Sequence, residues 1–236
     1  GFRPAGAAAA QLGARDVPQD LARMIDHTLL KPEATAAQVD AICDEALSHR
    51  FASVCVNGTW TKRVAEILEG SGVKTCTVVG FPLGAVAPEV KSYEARRAIE
   101  DGSCEIDMVM NVGRFKDGEH DYVVREIRDV VEAADDRIVK VILETCLLTN
   151  EEITQACKLV TQAQAHFVKT STGFNNAGAT LEHVKLMRET VQQFAGVKAA
   201  GGVRNAADAH AMIEAGATRI GTSNGVAIIS GDSATN

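Results

Sequence analysis

Eight short runs of β-branched and small apolar residues recur along this chain, each followed by a segment of helical length. They are MIDHTLL (24–30), ASVCVN (52–57), KTCTVVGF (74–81), EIDMVMN (105–111), IVKVILE (138–144), HFVKTST (166–172), GVKAAGG (196–202) and RIGTSNG (219–225). Their starts lie 28, 22, 31, 33, 28, 30 and 23 residues apart. A strand, a crossover helix and two loops occupy about 30 residues, so the spacing is that of repeated βαβ units. Strand–helix alternation implies a parallel sheet. Neither a G-x-G-x-x-G fingerprint nor a Walker A loop is present, which removes the common open-sheet nucleotide folds. The expected architecture is a single closed (β/α)8 TIM barrel of the α/β class.

Helix punctuation agrees with that reading. Thr35 with Gln38, and Thr149 with Glu152, have capping-box spacing. Asn205 is placed to cap a helix that Gly216 ends. A barrel domain over 21–229 is expected, with a flexible leader at 1–20 and a flexible tail at 230–236. Only 4% of the 236 residues are aromatic, so aliphatic side chains must fill the interior.

The formal charge of -7 argues against nucleic acid or an anionic membrane as a partner. No apolar run approaches the ~20 residues that span a bilayer. The six cysteines show neither C-x-x-C pairing nor His-rich spacing, so no metal site is expected, and a reduced, cytoplasmic protein fits best.

Alternate side chains of a strand face opposite sides. Parity groups Lys169 with Phe167 and Ser171, Lys198 with Ala200 and Gly202, Asp107 with Val109 and Asn111, and Lys140 with Ile142 and Glu144. Barrel closure would gather Lys169, Lys198, Asp107 and Lys140 in the lumen. Two ammonium groups held close disfavour each other's protonation, and a neutral amine attacks a carbonyl to form an imine. Structural ion pairing with lumen carboxylates is the competing reading, strongest for Lys140. By the same parity His166 faces away from Lys169 and reads as a packing or surface residue. Cys55 and Trp60 read as packing residues, and His27 beside Asp26 makes no triad. A second constellation lies in AAGGVRN (199–205) and GTSNG (221–225), where glycines let backbone amides approach an anion. Loops after strands seven and eight often bind phosphate in barrels, although glycine is also the ordinary turn residue.

These residues resemble a known family. IDHTLLKPEAT (25–35), SVCVN (53–57), VVGFPLG (78–84), EVKSYEARRAI (89–99), EIDMVMNVG (105–113), KVILETCLLT (140–149), FVKTSTGF (167–174), VKAAGGVR (197–204) and RIGTSNGVAI (219–228) are similar, in order, to the deoxyribose-phosphate aldolases. These are class I aldolases of barrel fold. The resemblance implies that Lys169 forms the Schiff base, that Lys198 tunes it and moves protons, that Asp107 is the acid/base and that Asp26 assists. It implies substrate binding by Thr170, Gly173, Gly201, Gly202, Gly221, Ser223 and Asn224. The implied reaction is reversible cleavage of 2-deoxy-D-ribose 5-phosphate to glyceraldehyde 3-phosphate and acetaldehyde. No metal or organic cofactor is implied, because the lysine is the electron sink, and self-association through outer helices is expected. The chain departs from the family pattern at Gly58, at Gln164–Ala165–His166 and at Asn224. Two other classes compete: a phosphate-binding isomerase or synthase that forms no imine, and a catalytically silent sugar-phosphate sensor.

Overall fold

The computed structural model describes residues 20–231. The expected leader and tail therefore lie largely outside the described residues. Asp20, however, caps the first turn by accepting from the Ala22 amide, and Ser230 belongs to the last helix.

Eight strands follow in chain order: β1 (Ile25–Leu29), β2 (Ser53–Val56), β3 (Lys74–Val79), β4 (Glu105–Val109), β5 (Ile138–Ile142), β6 (Phe167–Lys169), β7 (Gly196–Ala200) and β8 (Arg219–Thr222). Each pairs in parallel with the next, and β8 pairs with β1, so the barrel is closed. Around it run α1 (Ala36–His49), α2 (Thr61–Leu68), α3 (Pro88–Glu100), α4 (Val112–Lys116), α5 (His120–Ala133), α6 (Asn150–Gln162), α7 (Leu181–Val191), α8 (Ala206–Ala215) and α9 (Gly225–Ser230).

Local chemistry explains the helix ends. Thr35 and Thr149 form both halves of their capping boxes, with Gln38 and Glu152. Asn205 accepts from the Asp208 amide at 2.9 Å, and Gly216, at φ 123°, ends α8. The principal core lies between the outward faces of the strands and the helices. Val54, Val56, Ile106, Val139, Val141 and Ile220 meet helix residues such as Val39, Ile127, Ile153 and Val184 there. Burial of such side chains stabilises by about 1.5–3 kcal/mol each.

The lumen is filled differently at its two ends. Phe167 plugs the end at which the strands begin, under the Arg219 guanidinium at 5.3 Å. Gly196 is required beside it, since a Cβ there would sit 2.4 Å from the Phe167 ring. Toward the other end, Leu30, Cys55, Cys76, Val78 and Phe81 make a small apolar wall.

Candidate active site

Strand register assembles the charged residues. Asp107 lies opposite Lys140, Lys169 opposite Lys198, and Lys198 opposite Arg219. Asp26 on β1 closes the ring from beside β8. Lys169 Nζ is 2.9 Å from Asp107 Oδ2, and Lys198 Nζ is 2.8 Å from the same oxygen. Lys198 also reaches Asp26 Oδ2 at 2.6 Å. Lys140 touches three carboxylates, Asp26 at 3.0 Å, Glu105 at 2.6 Å and Asp107 at 3.0 Å. Arg219 joins Asp26 to Glu105 at 2.8 and 2.7 Å. Lys140, Lys198, Asp26 and Asp107 are fully buried.

Four cations thus face three carboxylates, and their mutual field decides the charge states. Burial alone would raise the carboxyl of Asp26, but Arg219, Lys140 and Lys198 outweigh it and hold it well below 3.8. Asp107 behaves likewise, with Lys140, Lys169 and Lys198 outweighing its burial. Burial would discharge Lys198, yet Asp107 and Asp26 raise it above its ordinary range. This corrects one expectation. The neighbouring lysine does not discharge Lys198, because Asp107 and Asp26 both lie against its ammonium group and keep it charged. Lys140 is likewise held charged, and its part is that of an ion pair.

Lys169 differs from its neighbours in two ways. It has one carboxylate partner, and among these lumen cations it is the one that lines the open cavity. That cavity, of about 400 Å³, opens where the strands end. Gly173, Gly201, Gly202, Gly221, Ser223 and Asn224 all line it, together with Lys31 and Arg204, two cations that strand parity did not single out. Gly201 and Gly202 have successive positive φ values of 83° and 82°, a backbone that favours glycine. A Cβ on Gly201 would also meet Gly178 Cα at 2.9 Å.

Two of the residues that the resemblance implies for binding make further contacts. Thr170 is outside the cavity lining. Its hydroxyl donates to the Ala200 carbonyl and accepts from the Ala200 amide, both at 3.1 Å, and so braces β6 against β7. Gly221 does line the cavity, but a Cβ on it would meet Lys198 Cε at 2.8 Å, so its missing side chain makes room for the lysine. His166 is buried away from Lys169, its Nδ1 accepting from the Val139 amide, and His27 pairs with Glu45.

Glu105 and Arg219 escaped the sequence reading, although Glu105 shares parity with Asp107. Cys55 and Cys76 stand in register on β2 and β3, and with Asp107 their ligand atoms fall within 4.8 Å of one another. Linear spacing could not reveal that group. Ammonium groups already occupy both oxygens of Asp107, which fits a metal ion poorly.

Fold and site together define a β/α-barrel enzyme whose lysine–carboxylate lumen opens onto a glycine-lined mouth. The chain belongs to the DeoC/LacD family of aldolases, whose model matches residues 21–231. It is 58% identical over 216 residues to a deoxyribose-phosphate aldolase of Geobacillus sp. (strain WCH70), covering 91% of this chain and 97% of that one. A deoxyribose-phosphate aldolase of Streptococcus gordonii is also 58% identical, over 91% of this chain and 97% of its own. The tetrameric deoxyribose phosphate aldolase of Aeropyrum pernix superimposes with a TM-score of 0.85 at 34% identity, over 96% of this chain and 97% of that one.

Proposed function

We propose that the protein is a class I aldolase that reversibly cleaves 2-deoxy-D-ribose 5-phosphate through an imine on Lys169. The observation that carries this reading is the position of Lys169, held by a single carboxylate at the floor of a cavity whose rim is glycine-rich. The amine adds to C1 of the open-chain sugar, and loss of water gives the iminium ion. A base takes the C3 hydroxyl proton and the C2–C3 bond breaks. Its electron pair moves into the iminium to give an enamine, and glyceraldehyde 3-phosphate departs. Protonation at C2 and hydrolysis then release acetaldehyde and restore the lysine.

The proton that Lys169 sheds before it attacks goes to solvent in the open cavity, because Lys198 is already charged. Asp107, accepting from both amines through one oxygen, passes a proton from Lys198 toward the hydroxyl that leaves as water. Lys198, kept charged, is the acid of this relay, and Asp26 holds it in place. The mouth at Gly173, Gly201, Gly202, Ser223 and Asn224, with Arg204, suits the phosphate. No metal or organic cofactor enters this scheme, since the iminium is itself the electron sink.

All six cysteines are free thiols, which suits a cytoplasmic, reducing setting, and no helix among the described residues is long and apolar enough to cross a membrane. The tetramer from Aeropyrum pernix supports self-association of this chain as well. Borohydride reduction in the presence of substrate tests the mechanism. The expected result is a permanent adduct mapped to the Lys169 peptide, with acetaldehyde released in its absence. Cleavage that leaves no trapped adduct would establish the imine-free barrel chemistry instead, and no cleavage at all would leave a binding protein.

A further inference from the structure

Glu144 occupies a position that its residue type does not favour. Its backbone is left-handed, at φ 57° and ψ 64°, where a side chain is strained and glycine is the ordinary choice. It starts the short turn at Thr145–Leu147, yet its side chain makes no cap bond to that turn. The carboxylate, 5% exposed, reaches instead to a residue 28 positions later. Glu144 Oε1 accepts from the Thr172 amide at 3.2 Å, and Oε2 accepts from the Thr172 hydroxyl at 2.6 Å.

The backbone on either side of Glu144 is tied to the strand of the reactive lysine. The Leu143 amide donates to the Lys169 carbonyl and the Thr145 amide to the Thr170 carbonyl, both at 2.9 Å. The chain of contacts then continues outward. Thr172 Oγ1 accepts from the Phe174 amide at 3.1 Å, and the Phe174 ring meets Phe81 edge-on at 5.4 Å. Thr172, Gly173 and Phe174 line the cavity with Lys169. One carboxylate therefore fixes the wall that rises from the lysine toward the rim. Strained non-glycine backbone of this kind persists where surrounding contacts over-determine it, and it gathers at functional sites.

We infer that Glu144 is a positioning residue for the proposed reaction, latching the Thr172–Phe174 wall so that the sugar is held against Lys169. The inference rests on the aldolase reading. The carboxylate touches neither Lys169 nor the lumen cluster, so its removal should spare the amine and impair the grip on the longer substrate.

The test compares Glu144→Gln and Glu144→Gly with the parent. Glutamine keeps the shape but offers an NH2 where Thr172 needs an acceptor. Glycine suits the left-handed backbone and removes the latch altogether. For both, KM for 2-deoxyribose 5-phosphate should rise roughly tenfold, as expected for a lost hydrogen bond to a charged group, with kcat within about threefold. Borohydride trapping of acetaldehyde on Lys169 should proceed at the parental rate, and Glu144→Asp should restore part of the KM loss. An unchanged KM in both variants overturns the inference. So does a Gln variant that fails to fold or traps acetaldehyde slowly, because Glu144 would then be holding the barrel and not the wall. A parent that traps no acetaldehyde and cleaves no sugar phosphate refutes the aldolase reading itself, a result distinct from either.

Discussion

Lys169 and Lys198 share one acceptor, their nitrogens lying 2.9 and 2.8 Å from the same oxygen of Asp107. The sharing is unequal. Lys198 has a second carboxylate in Asp26 and is sealed in the lumen, while Lys169 has Asp107 alone and an opening to the cavity. Replacing Lys169 by Ala should therefore leave Tm close to that of the parent and abolish adduct formation. Turnover should fall by at least about 10⁴-fold, as for removal of a covalent nucleophile. A mapped adduct on any other lysine would count against this assignment.

Lys198→Met should behave differently, because it strips a cation from two buried carboxylates. Breaking a buried pair costs about 3–5 kcal/mol, which in a chain of this size is a fall in Tm of roughly 10 °C. Loss of the acid should lower kcat/KM by about 10²–10⁴-fold. Lys198→Arg should not restore activity, since a planar fork cannot replace a point charge between Asp26 and Asp107. Calorimetry and steady-state rates on both variants check this.

Gly221→Ala probes the same amine from behind. The new methyl group would press on the end of Lys198 and shift it from Asp107. We expect kcat to fall by about tenfold or more, as misplacement of a catalytic group does, with KM for the sugar phosphate little changed. A rise in KM alone would mean that Gly221 serves the phosphate after all.

Acid stability follows from the carboxylates. Asp26 and Asp107 fold with their carboxyl groups held well below 3.8, although burial opposes it. A carboxyl lowered on folding contributes stability that is complete above the unfolded value and is lost as pH falls through the folded one. Unfolding free energy should therefore show no loss from these two groups above about pH 4 and should decline below it. Denaturant titrations at a series of acid pH values should show a shallower decline for Asp26→Asn than for the parent.

Arg204→Ala addresses the mouth of the cavity. Removing this cation should raise KM for 2-deoxyribose 5-phosphate by roughly tenfold, the value of one charge-assisted contact. Cleavage of unphosphorylated 2-deoxyribose should be unaffected. Equal losses on the two sugars would show that Arg204 does not read the phosphate.

Most of the barrel was legible because its repeat is local. About 30 residues per βα unit, two capping boxes and the parity of each strand suffice to place Lys169, Lys198, Asp107 and Lys140 in one lumen. What parity cannot supply is the register between distant strands. Arg219 on β8 meets Glu105 on β4, 114 residues away, and only the closed ring brings them together. The charge of Lys198 escapes parity for the same reason, since the carboxylates on either side of it come from β1 and β4. The resemblance implies binding roles for Thr170 and Gly221, and the fold adds what linear sequence does not carry, a hydroxyl bonded to the Ala200 backbone and a gap that admits Lys198.

The aromatic plug at Phe167, capped by Arg219, has a kinetic consequence. With Phe167 filling the end where the strands begin, the cavity beside Lys169 opens at the other end, so reactants that pass through this mouth leave in the reverse of the order in which they enter. On the proposed imine at Lys169, the three-carbon phosphate, nearer the threshold, is expected to exit ahead of the two-carbon fragment still bonded to the amine. In the synthetic direction the small aldehyde must load before its partner, and excess of the larger aldehyde would block its way in.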